Sequence, residues 1–251
     1  ILSNGKITLS FEVFPPKKES GIETVYDTIE KLTDLKPDFI SVTYGAGGSG
    51  VTNPITKDIC SKIKNEYKLE TIAHLSCINN TKDEIDKILE ELKKEGIDNI
   101  LALRGDRVEG LEPKKDFTYA SDLTKYIMDK GGFHVSGACY PEVHMEAKDA
   151  VDDIKNLKKK VDAGADHLIS QLFFDNRVFY DFLERARIAD INVPIEAGIM
   201  PVTSKSQIER MVTMCGASIP ASLSRIMQRY ESNPEALRDA GIAYAINQII
   251  D

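Results

Sequence analysis

Thr8-Leu9-Ser10-Phe11-Glu12-Val13-Phe14-Pro15-Pro16 is a β-type apolar run with one carboxylate inside it. Alternation sends Leu9, Phe11 and Val13 to one face of a strand and Ser10, Glu12 and Phe14 to the other, and the two prolines end the strand by removing backbone donors. Glu12 then stands at the strand's C-terminal end. In parallel α/β sheets and barrels ligands bind at those ends, and apolar neighbours favour the neutral, proton-donating form of a carboxyl group. The residue reads as a general acid, against the alternative of an edge-strand glutamate in solvent.

The rest of the chain repeats one unit. Helical spacing over Gly21 to Leu35, stopped by Lys36-Pro37, leads to a strand at Asp38 to Tyr44 that opens into Gly45-Ala46-Gly47-Gly48-Ser49-Gly50. Helices predicted over Pro54 to Tyr67, Lys82 to Lys94, Ala120 to Lys130, Glu146 to Ala163 and Val178 to Ala189 precede strands at Thr71 to Cys77, Asn99 to Leu103, His134 to Tyr140, Asp166 to Phe174 and Pro194 to Ile199. Helical stretches follow near Ser204 to Met214, Pro220 to Tyr230 and Pro234 to Ile250. Seven strand signals alternating with helices imply a parallel sheet covered by helices. A doubly wound sheet and a (β/α)8 TIM barrel both fit. The barrel is preferred because every unit delivers polar residues at its strand end, rather than one switch point doing so. No eighth strand signal precedes Asp251, so the expected architecture is a single barrel domain over residues 1–251 with its last strand missing.

Composition narrows the function classes. At 251 residues and 42% hydrophobic the chain suffices for one large core. It carries no apolar run long enough for a membrane span and no signal-peptide pattern, which predicts a soluble, cytoplasmic protein. The net charge of −8 argues against nucleic-acid and anionic-membrane partners. Cys60, Cys77, Cys139 and Cys215 are dispersed, as expected of buried thiols rather than of a zinc ribbon or disulfide framework.

The predicted strand ends offer Glu12, Thr43-Tyr44, His74, Arg104-Gly105-Asp106, Tyr140-Pro141-Glu142-Val143-His144, Gln171 with Phe173-Phe174, and Gly198 to Pro201. Singly, each has a plain structural reading; together they suit one ligand site. Glu12 and Asp106 suit a division of labour between a protonated and an ionised carboxyl. No lysine falls within these ends, which weakens a Schiff-base mechanism, and no compact ligand spacing marks a metal site. The helix holding Lys158-Lys159-Lys160 has the densest basic cluster, either a solvated face or a clamp on a diphosphate. No Gly-x-Gly-x-x-Gly follows the first strand, so a Rossmann dinucleotide site is not indicated.

In order, Phe11-Glu12-Val13-Phe14-Pro15-Pro16, Ser41-Val42-Thr43-Tyr44-Gly45, Ala102-Leu103-Arg104-Gly105-Asp106, Tyr119-Ala120-Ser121-Asp122-Leu123, Tyr140-Pro141-Glu142-Val143-His144, Lys160-Val161-Asp162-Ala163-Gly164-Ala165 and Gln171-Leu172-Phe173-Phe174-Asp175 resemble the motifs of the methylenetetrahydrofolate reductase family over nearly the whole chain. The resemblance implies a (β/α)8 barrel with non-covalent FAD that takes hydride from NADH or NADPH and passes it to 5,10-methylenetetrahydrofolate in a ping-pong cycle. It makes Glu12 the acid that protonates the folate's N10 nitrogen, opening the ring to an iminium. Asp106 becomes the acidic residue beside flavin and pterin, and Gln171 and Gln207 substrate contacts. For FAD it carries over Thr43, Tyr44, Ala46, His74, Arg104, Gly105, Asp106, Ala120, Tyr140, His144, Ala147, Asp153, Asn156, Lys159 and Lys160, the two lysines at the phosphates.

Met211 stands where many relatives have an aromatic ring, and the family's closing strand has no counterpart. The resemblance is to the short bacterial type, for which a homo-oligomer, with or without an accessory subunit, is expected. Two alternatives remain open at the level of sequence: a flavin-carrying electron-transfer subunit, and a metal-dependent barrel lyase using Glu12, His74 and His144.

Overall fold

A computed structural model of the chain describes residues 6–16, 19–44, 54–107, 110 and 112–251. The predicted Ala46 and the glycines around it lie outside the described residues. Seven strands, β1 (Ser10–Val13), β2 (Phe39–Val42), β3 (Glu70–Ser76), β4 (Asn99–Leu103), β5 (His134–Cys139), β6 (His167–Ser170) and β7 (Ile195–Glu196), lie in one sheet in chain order. The described pairings are parallel. Strictly sequential order is that of a (β/α)8 barrel; a doubly wound sheet would reverse direction at a switch point. Among the described residues there is no eighth strand. Contacts cluster into two compact units, Ile1–Gly137 with Lys160–His167, and Ala138–Lys159 with Leu168–Asp251.

In the first unit, helices α1 (Ile22–Thr33), α2 (Pro54–Asn65), α3 (Lys82–Lys94) and α4 (Ala120–Lys130) alternate with the strands. One registered row, Val13, Val42, Ala73, Ile100 and Val135, runs across β1 to β5. All five are buried in one core with Ile29, Ile59, Ile63, Ile85, Leu123 and Ile127 from the helices. Helix ends are set locally. Thr81 Oγ1 accepts from the Glu84 N–H at 3.3 Å while the Glu84 carboxylate accepts from the Thr81 N–H at 2.6 Å, a reciprocal cap that starts α3.

The second unit carries helix α5 (Ala150–Asp162) as far as Lys159, and helices α6 (Asn176–Ile188), α7 (Lys205–Cys215), α8 (Ala221–Arg229) and α9 (Pro234–Ile250). Phe174, Val202, Ile208, Ala217 and Leu223 form its buried core. No described helix is long and apolar enough to cross a membrane. Cys60, Cys77 and Cys139 are buried thiols outside any disulfide, whereas Cys215 is half-buried.

Three elements differ from the periodicity by three residues or more at one end, the others by two at most. Strand β6 ends at Ser170 rather than Phe174 because side chains take the backbone groups that a ladder would use. Gln171 Oε1 accepts the Leu172 N–H at 2.9 Å, Gln248 Nε2 donates to the Phe173 carbonyl at 3.2 Å, and Tyr244 Oη donates to the Phe174 carbonyl at 2.6 Å. Helix α5 begins at Ala150 rather than Glu146, since the Asp149 carboxylate caps the N–H groups of Val151 and Asp152 at 3.0 and 2.8 Å. Strand β7 is only two residues long, and Gly198 just beyond it turns its N–H to Ser170 Oγ at 2.9 Å.

A Cβ at Gly198 would lie 2.4 Å from the Ser170 carbonyl oxygen, a backbone atom that cannot swing away. Gly198→Ala is therefore expected to lower the unfolding free energy by about 1–3 kcal/mol or more, read as a lower urea midpoint at unchanged slope.

Candidate active site

Alternation places Glu12 and His74 on the sheet face opposite the registered core row. Glu12 pairs in register with Ser41, one step before Val13, and His74 follows Ala73 on β3. Glu12 Oε2 reaches to 3.5 Å from His74 Nε2. The two side chains have unlike surroundings. His74 is 6% exposed, and burial lowers its pKa to about 4, so it is neutral at physiological pH. Glu12 keeps 42% exposure, enough for a proton to reach it from solvent, yet desolvation by the surrounding protein raises its pKa. Beside an uncharged imidazole, a carboxyl with a raised pKa keeps a proton more readily than a solvated glutamate does. His74 Nε2 and Tyr44 Oη are buried and not fully satisfied within the protein: the first has only Glu12 Oε2 at 3.5 Å, and the second lies beside the Asn80 side chain.

The turn after β4 lies on the same unit. Ile78 donates its N–H to the Arg104 carbonyl at 2.8 Å, and Arg104 Nε donates to the Gly105 carbonyl at 3.1 Å. Gly105 has φ +87, and a Cβ there would meet Ser76 Cβ at 3.0 Å and Ile78 Cγ2 at 3.2 Å. Only glycine fits both the backbone conformation and the space. This turn presents Asp106 as an exposed carboxylate. Thr43 follows β2, its N–H donating to the Val13 carbonyl at 3.0 Å and its carbonyl accepting from Thr56 Oγ1 at 3.0 Å. Ala120 is buried at the start of α4, where the Asp122 carboxylate accepts from the N–H groups of Thr118 and Tyr119 at 2.9 Å each. Lys160 is half-buried on α5.

On the second unit, the ring of His144 stands edge-on to Tyr140 at 4.6 Å and 86°. The Glu146 N–H donates to His144 Nδ1 at 3.1 Å, so a neutral His144 carries its proton on Nε2. Ala147 donates its N–H to the His144 carbonyl at 2.9 Å. Asp153, Asn156 and Lys160 recur at helical spacing on α5, with the exposed Lys159 donating from Nζ to Asn156 Oδ1 at 2.8 Å. Gln171 is half-buried, its Oε1 held by the next N–H, which leaves its amide nitrogen to donate.

Phe173 and Phe174 take the plain structural reading of their rim positions. Both are buried, Phe173 stacking on Phe179 at 4.8 Å, so the rings serve the core. Gln207 has a local role that sequence reasoning missed. Its Oε1 accepts from the Thr203 N–H and hydroxyl at 2.8 Å each, and its own N–H donates to Ser204 Oγ at 3.2 Å. The signal was available, since Ser204 and Gln207 have the spacing of a capping box at the start of α7. Among the described residues no group of three or more His, Cys, Asp or Glu side chains is placed to hold a metal ion.

Sequential parallel strands with polar groups at their C-terminal ends define an α/β protein of barrel-type topology. Residues 1–251 match the family described as methylenetetrahydrofolate reductase, and the chain belongs to that family. It is 40% identical over 245 residues to the 5,10-methylenetetrahydrofolate reductase of Escherichia coli, covering 98% of this chain and 81% of that protein. It is 38% identical over 260 residues to methylenetetrahydrofolate reductase (NADH) 1 of Arabidopsis thaliana, covering 98% of this chain but only 44% of the plant protein. In fold it resembles a solved, uncharacterized protein from Clostridium thermocellum that binds two copies of 5-methyl-5,6,7,8-tetrahydrofolic acid, with a TM-score of 0.71 at 19% identity, over 99% of this chain and 84% of that one.

The neutral histidines carry a pH signature. His167, buried with Nδ1 at 3.1 Å from Ser136 Oγ, is like His74 lowered to about 4 by burial. The unfolded chain binds protons near pH 6.5 that the folded chain refuses, so stability is complete above that pH and falls as pH drops toward 4, by roughly 3 kcal/mol per histidine. Urea midpoints measured across this range should fall with acid, and His167→Gln should flatten the slope by about half.

Proposed function

We propose that this chain reduces 5,10-methylenetetrahydrofolate to 5-methyltetrahydrofolate with NAD(P)H, through FAD, in a ping-pong cycle. The observation that carries the reading is Glu12: a carboxyl at the C-terminal end of a barrel-type strand, its pKa raised by desolvation, 3.5 Å from a neutral histidine. Family membership supports the reaction class, and the folate bound by the Clostridium thermocellum protein supports the substrate class. FAD, when bound, supplies acceptance of hydride from the nicotinamide and its delivery to the folate.

The residues present fit such a group. Tyr44 Oη and His74 Nε2 are buried polar atoms that keep hydrogen-bonding capacity, and the Gly105 turn offers backbone clear of a side chain. Thr43, Tyr44, His74, Arg104, Gly105, Asp106 and Ala120 are the residues that would hold the cofactor's flavin end by family resemblance to its contacts. The same resemblance assigns Tyr140, His144, Ala147, Asp153, Asn156, Lys159 and Lys160 to FAD, the lysines to supply positive charge for phosphates.

Glu12 holds the proton that Oε2 gives to the folate's N10 nitrogen, so that the ring opens to an electrophilic iminium. His74, uncharged, leaves that proton's acidity to desolvation alone, because an imidazolium at the same distance would pull Glu12 toward its ionised form. Asp106 is exposed and supplies the negative charge that favours the cationic iminium. Gln171 offers its amide nitrogen to the pterin or the nicotinamide. Gln207, whose carbonyl is engaged at the start of α7, contacts substrate through its amide nitrogen.

Purified protein kept anaerobic should show flavin bands that bleach with NADH and return with methylenetetrahydrofolate. A protein that neither holds nor takes up FAD would overturn the reading, and bleaching without return would restrict it to electron transfer. Glu12→Gln should keep bleaching by NADH and slow the return by roughly a hundred- to ten-thousandfold. The wild-type return should slow as pH rises through the raised Glu12 pKa, and that limb should vanish in the variant; an unchanged limb would remove Glu12 from the proton transfer.

A further inference from the structure

The loop between β5 and α5 contains a backbone conformation that its sequence disfavours. Val143 has φ +80, the left-handed region, where a β-branched side chain is uncommon. Such a conformation persists only where the surroundings over-determine it, and these outliers gather at functional sites. The surroundings here are specific. The Glu142 carboxylate accepts the Ser218 N–H with both oxygens, at 2.9 and 3.0 Å. One residue earlier, Arg185 Nη2, from α6, donates to the Pro141 carbonyl at 2.8 Å. Met145 packs against Gly216, where a Cβ would come within 2.9 Å of Met145 Cγ. Gly216 itself ends α7 in the left-handed conformation at φ +69, directing the chain to Ser218.

We infer that Glu142 is a positioning residue: by tethering the strained Pro141–Met145 turn to the α7–α8 connection, it sets the orientation of His144 against Tyr140. This rests on the reading of Tyr140 and His144 as flavin contacts. The sequence of causes is short. Arg185 and Glu142 hold the two residues that lead into Val143, and Met145 packs against Gly216 beyond it. Val143 held at positive φ turns His144 so that its ring meets Tyr140 edge-on and its Nδ1 receives the Glu146 N–H. That bond keeps the proton on Nε2, which is thereby presented as a donor. Without the tether Val143 relaxes to negative φ, the turn reopens, and both ring contacts are lost together. The same tether joins this turn to the C-terminal end of α7, the helix that carries Gln207 and Met211.

The test separates the tether from the flavin reading. In apoprotein, the ring ¹⁵N and ¹³C signals of His144 report its tautomer and surroundings, and Glu142→Ala should shift them. FAD titrated into the same apoproteins, followed by quenching of flavin fluorescence, should bind about tenfold or more weakly to Glu142→Ala, consistent with loss of a charge-assisted hydrogen bond. Glu142→Gln, which keeps an acceptor, should lose less. Glycine adopts positive φ without strain, so adding Val143→Gly to Glu142→Ala should restore most of the affinity, a rescue that general destabilisation would not produce. If Glu142→Ala does not fold, Glu142→Gln and Arg185→Met carry both readouts in the same direction. Unmoved His144 signals in the variants would overturn the tether. Shifted signals with FAD affinity equal to wild type, or a wild type that takes up no FAD, would overturn instead the assignment of this loop to flavin.

Discussion

Five residues in register, Val13, Val42, Ala73, Ile100 and Val135, constrain the first unit more than any single bond. Each lies in the same buried core, so their strands cannot slip by one position without carrying a polar row into the apolar layer and expelling an apolar one. Glu12 and His74 are neighbours of this row in sequence, and its burial sends them to the opposite face. Their 3.5 Å approach is thus a product of hydrophobic packing on the other side of the sheet. The electrostatics follow from the same geometry. A histidine lowered to about 4 by burial, beside a glutamate raised by desolvation, keeps charge at the strand end lower than two solvated side chains would.

Much of this was legible in the chain because hydrophobic period and helix stops are local. Lys82–Lys94, Ala120–Lys130 and Pro234–Ile250 have the bounds that periodicity assigns them, and β4 has the bounds of its apolar run. What was not legible depends on partners distant in sequence. The end of β6 is set by Tyr244 and Gln248, more than seventy residues later, taking the carbonyls of Phe174 and Phe173. The inward turn of Phe173 follows from the same capture. Glu142 illustrates the limit best: in sequence it is one more carboxylate in a motif, and its meaning comes from the Ser218 N–H, 76 positions away. The Gln207 cap was readable from spacing alone, yet a residue expected at a ligand draws attention away from its backbone neighbours.

Within each unit the polar groups are arranged by neighbours that do no chemistry. Gly105 gives Ser76 and Ile78 room, and the Asp122 carboxylate fixes the entry to α4 behind Cys77, whose thiol burial pushes up to about 12 and removes from reaction. Gly198 lets the chain cross the Ser170 carbonyl in contact with it. Small residues at such crossings are as binding on the sequence as the acid itself, since a methyl group there displaces backbone.

The buried atoms Tyr44 Oη and His74 Nε2 bear on the persistence of the chain. A molecule that bonded to both would favour the folded chain over the unfolded one and so lower the population open to proteolysis and aggregation. The supply of such a molecule would then act on the lifetime of the chain alongside its sequence.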